Sequence, residues 1–223
     1  FEVSMIEKAQ SITDAAFDHI LGYIKPGLTE TDVAAELEFF MKKKGAQCPA
    51  FETIAVSGKK SSMPHGVPES IVLTENSFLT MDFGAKYNGY CSDMTRTVVL
   101  GKADDEMKRV YNTVLEAQLA GIAAAHGGAL GKDVDKAARD IIDNAGYKGL
   151  FGHSLGHSLG IEIHENPRFA PKFDKECPVQ SIITVEPGIY IPGKYGVRIE
   201  DMVLLGKDGC RDLTHSPKQL IEI

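Results

Sequence analysis

The chain has no tryptophan, only four cysteines, and no apolar run near the roughly 20 residues that a membrane-spanning helix requires. Cys48, Cys91, Cys177 and Cys210 form no CxxC pair and are too sparse for a disulfide-stapled scaffold, so reduced thiols in a cytoplasmic setting are expected. Basic runs are also missing. With 24 Lys and Arg against 31 Asp and Glu, a formal charge of -7, nothing suggests a surface that tracks phosphates, and no nucleic-acid partner is expected. The opening FEVSMIEKAQ lacks the basic-then-apolar order of a signal peptide, and no membrane partner is expected either. Because residue 1 is Phe, an upstream part is expected to be missing from view.

What is present is a core. A chain of 223 residues, 43% apolar, can bury roughly 70% of its unfolded surface and is expected to form one domain over residues 1–223. Ser4 and Glu7 have capping-box spacing ahead of apolar residues at helical intervals, which stop at Pro26-Gly27; a second helix is predicted from about Glu30 to Lys44. Residues 51–100 read as short strands and hairpins. Two more helices follow, one opened by Asp104-Asp105-Glu106 and one from about Lys132 to Asn144, and strands return after Phe151. This α+β plan is written twice. At an offset of 101, Gly27, Asp32, Val33 and Gly45 match Gly128, Asp133, Val134 and Gly146, so a pseudo-symmetric domain with its site between two sheets is expected.

Carboxylates in apolar strand contexts are the anomaly. Asp82 sits inside FLTMDFG, and Asp93 follows eleven positions later across YNGY, where a hairpin can bring both to one sheet end. Two buried carboxylates repel and need a cation, a shared proton or a partner such as Arg96. Glu186 in ITVEPGIYI and Glu200 in GVRIEDMV extend the pattern, with Arg198 and Glu200 on one strand face. The stretch LFGHSLGHSLGIEIHE adds His153, His157 and His164. Four hard oxygen donors with one imidazole suit a pair of Mn, Co, Fe or Zn ions.

In MDFGA, SDMTRTV, GHSLG, TVEPG and RIED the chain resembles the M24 metallopeptidases, over essentially its whole length. The resemblance implies a pita-bread fold, a pseudo-two-fold repeat of helices packed on curved antiparallel sheets. It also implies the activity of an Xaa-Pro dipeptidase (prolidase) or aminopeptidase, in which two divalent ions, Mn foremost, share an activated water. The implied metal ligands are Asp82, Asp93, His157, Glu186 and Glu200. Glu186, His164 and His65 take the catalytic positions, and His65, His153, His164, Tyr190 and Arg198 face Xaa-Pro peptides. A homodimer is compatible with it. Ser154 and Ser158 replace glycines usual in the family, Gln180-Ser181-Ile182 departs from its pattern, and its N-terminal domain has no counterpart here. A methionine aminopeptidase-like activity, whose last motif usually reads Glu-His rather than RIED, and a non-catalytic peptide-binding module are the alternatives.

Overall fold

A computed structural model describes residues 1–223. Each half contributes two helices and then strands, as the repeated plan predicts. The first half has α1 (Glu2–Tyr23), α2 (Glu30–Lys43), β1 (Cys48–Pro49), β2 (Ile54–Ser57), β3 (Ser77–Phe83), β4 (Ala85–Tyr87), β5 (Tyr90–Cys91) and β6 (Met94–Leu100). The second has α3 (Asp105–Ala124), α4 (Gly131–Ile142), β7 (Gly156–Ser158), β8 (Glu165–Phe169), β9 (Ile182–Val185), β10 (Gly188–Ile191), β11 (Tyr195–Arg198), β12 (Asp201–Leu205) and β13 (Cys210–Asp212). The antiparallel row β2-β3-β6 of one half has its counterpart in β7-β9-β12 of the other, which β8 and β13 widen to five strands. The small sheet β1-β4-β5 and the ribbon β10-β11 flank them.

The matched glycines mark the repeat for a backbone reason. Gly27, Gly128, Gly45 and Gly146 have φ of 95°, 87°, 106° and 93°, a region that costs a side chain steric strain. Helix starts differ from expectation at one end. Ser4 and Glu7 form no capping box: α1 begins earlier, the Ser4 hydroxyl donates to Phe1 O, and Glu7 pairs with Arg211. The capping box is instead realised at α2, where Thr29 and Asp32 exchange bonds, and Asp104 caps α3 by accepting from Met107 N. The last predicted helix ends at Ile142, two residues early, where the backbone widens into the turn Asp143–Tyr147.

Each half owns an apolar core. Nineteen buried residues lie under α1, α2 and the first sheet, and 25 under α3, α4 and the second, with Phe78 and Val99 of the first half packed into the latter. Shared packing of this kind makes the halves one body. ITVEPGIYI and GVRIEDMVLL are not continuous strands. Each breaks at its glutamate, at Glu186-Pro187 and Ile199-Glu200, where the chain passes between the β10-β11 ribbon and the five-stranded sheet. At the second break Glu200 N donates to Thr95 O, and Arg198 N and O bond the Thr97 hydroxyl. The second half is thereby stitched to β6 of the first.

Candidate metal centre

Cross-strand register builds the first wall of the site. Ile54, Asp82 and Thr95 stand opposite one another across β2, β3 and β6 and so share one face. Asp93 lies just before β6 and is buried. From the second half, His157 on β7, Glu186 after β9 and Glu200 before β12 meet this face. His157 Nε2 is 3.5 Å from Asp93 Oδ2 and 3.4 Å from Glu186 Oε1, and single donor atoms of Asp93, His157 and Glu200 lie within 4.8 Å of one another. A cavity of about 280 Å³ opens onto them, lined also by His65, His153, His164, Phe51, Ile54, Arg168 and Arg198.

The electrostatics are those of a cluster of four carboxyls with a single arginine, Arg198, beside it. Burial, then the charges of Glu200, Asp82 and Glu186, pushes the Asp93 carboxyl well above the carboxylate range. Burial likewise raises Glu200, with Glu186 and Asp82 adding to the effect, and raises Glu186 to about 8. The Oδ1 atom of Asp82 is buried with no hydrogen-bond partner. His157 Nδ1 faces Ser158 O at 3.2 Å, which assigns the proton to Nδ1 and leaves the Nε2 lone pair toward the carboxylates. Burial and His164 lower its pKa to about 4, so the ring is neutral. An orphaned carboxylate oxygen, three carboxyls driven up and a neutral imidazole are what divalent cations would satisfy, and Asp82, Asp93, His157, Glu186 and Glu200 fit such a centre.

Two arginines part company here. Arg96 does not serve the cluster: its guanidinium turns away to Asp201, 2.7 Å distant. The cation beside the carboxylates is Arg198, whose Nη2 donates to Asp82 Oδ2 at 2.6 Å and whose Nε donates to the Thr95 hydroxyl at 3.0 Å. That hydroxyl donates in turn to Glu200 Oε2 at 2.6 Å, and Thr184 holds Glu186 Oε1 at 3.1 Å. Both threonines orient carboxylates and were not singled out in the sequence; Thr95 lies two residues after Asp93 in SDMTRT, which is the only local signal.

His65, His153 and His164 all reach the cleft, whereas Tyr190 stands behind it, 7% exposed. Arg198 Nη1 donates to the Tyr190 hydroxyl at 2.7 Å, which donates to His153 Nε2 at 2.8 Å, while His153 Nδ1 donates to Ser154 O at 2.9 Å. Burial, then the Arg198 charge, lowers His153 to about 3 and keeps it neutral. Ser154 and Ser158 meet both rings through main-chain carbonyls, which glycine would also supply, and Ser158 Oγ ties β7 to Ile182 O. Arg168 escaped sequence reasoning. It stands opposite His157 across β7 and β8, forms no ion pair, and lines the cavity. Pairing at this distance in sequence leaves no local trace.

A profile of metallopeptidase family M24 matches residues 4–207. The Xaa-Pro dipeptidase of Pyrococcus furiosus is 43% identical over 99% of this chain and 63% of its own length. The solved Xaa-Pro dipeptidase from Bacillus anthracis superposes with a TM-score of 0.98 at 48% identity, covering 100% of this chain and 62% of that one. The X-Pro aminopeptidase from Thermotoga maritima gives 0.98 at 42% identity, again over 100% and 62%. This chain therefore spans less than two thirds of the length of these relatives. With a family profile over nearly all residues, the pita-bread architecture and the convergence of both halves on one cluster, the chain belongs to metallopeptidase family M24.

Proposed function

We propose that this chain carries the catalytic domain of a metal-dependent exopeptidase that hydrolyses the N-terminal Xaa-Pro bond of dipeptides or short peptides. The observation that carries this reading is the meeting of four carboxylates, two from each half, with one neutral imidazole at the floor of an open cleft. Relatives named as Xaa-Pro dipeptidases over the whole chain support it. Asp82, Asp93, His157, Glu186 and Glu200 would hold two divalent ions. When bound, such ions supply a water of lowered pKa and polarise the scissile carbonyl. Mn suits the oxygen-rich set best. Four unpaired cysteines agree with a cytoplasmic setting.

The protein's own groups do the rest. Glu186 bonds Thr184 through Oε1, its other oxygen makes no hydrogen bond in the protein, and it takes a proton from the attacking water and returns it to the proline nitrogen. His164, exposed at the cleft with its ring 4.4 Å from that of His157, donates to the developing oxyanion. His65 and His153 both line the cleft that receives the substrate. A prolyl bond offers no N–H to a strand-binding site, so recognition falls on these side chains.

Arg168, an unpaired cation on the wall, is the natural partner for the carboxylate of a dipeptide. Arg168→Ala is expected to raise KM for an Xaa-Pro dipeptide by about tenfold or more, the 1.5–3 kcal/mol of a charge-assisted bond, and to leave an Xaa-Pro amide nearly unaffected. Equal losses on both would take Arg168 out of recognition. The test of the whole reading is a comparison of Xaa-Pro and Met-Ala peptides with Mn present. Faster Met-Ala cleavage would favour the methionine aminopeptidase-like activity, and cleavage of neither a binding module.

A further inference from the structure

His65 belongs to a strap of residues 58–72 that leaves β2, makes a short 3-10 turn at Gly58–Ser62 and returns to α2 at a bridge between Thr29 and Val72. The strap has no apolar anchor of its own at His65: Met63 and Val67 beside it are 55% and 64% exposed. What fastens it is Glu30, the first residue of α2, which is fully buried. Oε1 of Glu30 accepts from Ser57 N at 2.6 Å and Ser57 Oγ at 3.0 Å, at the strap's start. Oε2 accepts from Lys60 Nζ and from Glu69 N, both at 3.2 Å, the latter at its far end. Lys60 also pairs with Glu69 at 2.7 Å, and Thr31 N donates to Glu69 O. Between these ties the strap touches the cleft, where Arg198 Nη1 donates to Pro64 O at 3.3 Å and Gly196 N donates to Ser61 Oγ at 2.9 Å.

We propose that Glu30 is a positioning residue for substrate binding: it closes the strap on itself and so holds His65 in place at the cleft. The proposal rests on the functional reading only for the identity of the substrate. All four groups around the Glu30 carboxylate are donors, so a carboxylate satisfies each of them, while an amide turns its own N–H toward two of them. A buried charge of this kind is expensive and is a poor device for stability alone. Its two oxygens instead fix both ends of a loop, and ordering a loop lowers the cost of ordering His65 when substrate arrives.

The second half does the same with different residues. On α4, Asp135 accepts from Leu155 N at 2.9 Å and is gripped by Arg139, which donates to Phe151 O and His153 O. Glu30 has Gly131 as its counterpart at the 101-residue offset, so the second tether is not a copied position. Each of the two equivalent helices nevertheless fastens, through a buried carboxylate, the segment that brings a histidine to the cleft.

The test compares the parent protein, Glu30→Gln, His65→Ala and the double variant, each loaded with Mn. Glu30→Gln is expected to lower kcat/KM on an Xaa-Pro dipeptide by about tenfold, chiefly through KM, a loss within the range caused by misplacing a cleft group. In the His65→Ala background the same change is expected to cost little more, because the tether acts through His65. Bound Mn per chain is expected to stay at the parent level, and trypsin is expected to cut faster after Lys59 and Lys60. A full additive loss in the double variant, or unchanged cutting, overturns the proposal. If the parent itself cleaves no Xaa-Pro peptide, the functional reading fails separately, and the trypsin and metal measurements decide the tether. Should Glu30→Gln not fold, Lys60→Met replaces it with cutting read at Lys59.

Discussion

Asp93→Ala protein equilibrated with Mn and freed of excess ion is expected to hold clearly less metal than the parent, which should carry up to two ions per chain. Hydrolysis of an Xaa-Pro dipeptide is expected to fall by more than about 100-fold, beyond the 10–100-fold lost when a residue that merely orients a ligand is changed. The reason is position. Asp93 lies 3.5 Å from the free nitrogen of His157, in the same close triplet as Glu200, and its carboxyl is driven up by burial and by Glu200, Asp82 and Glu186. Removing it takes a donor from the middle of the cluster. Equal metal content in both proteins would exclude Asp93 from the centre.

The same cluster sets how the metal-free protein responds to pH. Glu186 is raised from 4.5 to about 8 in the fold, so the folded state favours its protonated form. The stability this contributes is fully present below about pH 4.5 and is lost as pH rises toward 8; Asp93 and Glu200, also raised, act in the same direction. Cations bind the ionised forms, so stabilisation by Mn is expected to grow over that window. At 100 times Kd it amounts to about 2.7 kcal/mol, or about 5–10 °C in Tm. Melting with and without Mn at pH 5 and pH 8 checks this, and a Mn effect larger at pH 5 would contradict it.

Arg96→Met is expected to be the costliest change away from the cleft. Arg96 is almost wholly buried, and its five N–H groups are directed at Pro217 O, Thr95 O, Glu200 O, Ser216 O and Asp201 Oδ1 at 2.6–3.0 Å. Asp201 keeps Lys218 and Gln118 but loses one of its two cations in a site where an uncompensated charge costs about 3–5 kcal/mol. The expected fall in Tm is about 6–20 °C. Arg96→Lys recovers only part of it, since an ammonium carries three donors and no planar fork. The Glu200 carbonyl is among the lost partners, so Mn binding is expected to weaken as well. A loss under about 1 kcal/mol by urea unfolding would show that the network contributes little.

Much of this was legible along the chain, and the limits of that legibility are physical. The two-fold plan of helices and strands, the glycines that end its helices, and four carboxylates in apolar strands beside a histidine-rich loop could be read from local cues: periodicity, backbone conformations that favour glycine, and charges in apolar surroundings; the choice of His157 among the histidines came from the resemblance to family M24. Asp82 shows the strength of such cues, because a carboxylate between Phe78 and Phe83 has to be compensated somewhere. By what, and from where, is a matter of distance in space. Only the folded chain assigns Arg198 to Asp82 and Arg96 to Asp201, aims Arg168 into the cleft from the strand beside His157, withdraws Tyr190 behind His153, and breaks the two strands at Glu186 and Glu200. Those outcomes depend on which strands pair and in what register, and pairing energy is shared between residues far apart in the chain, 116 positions for Arg198 and Asp82.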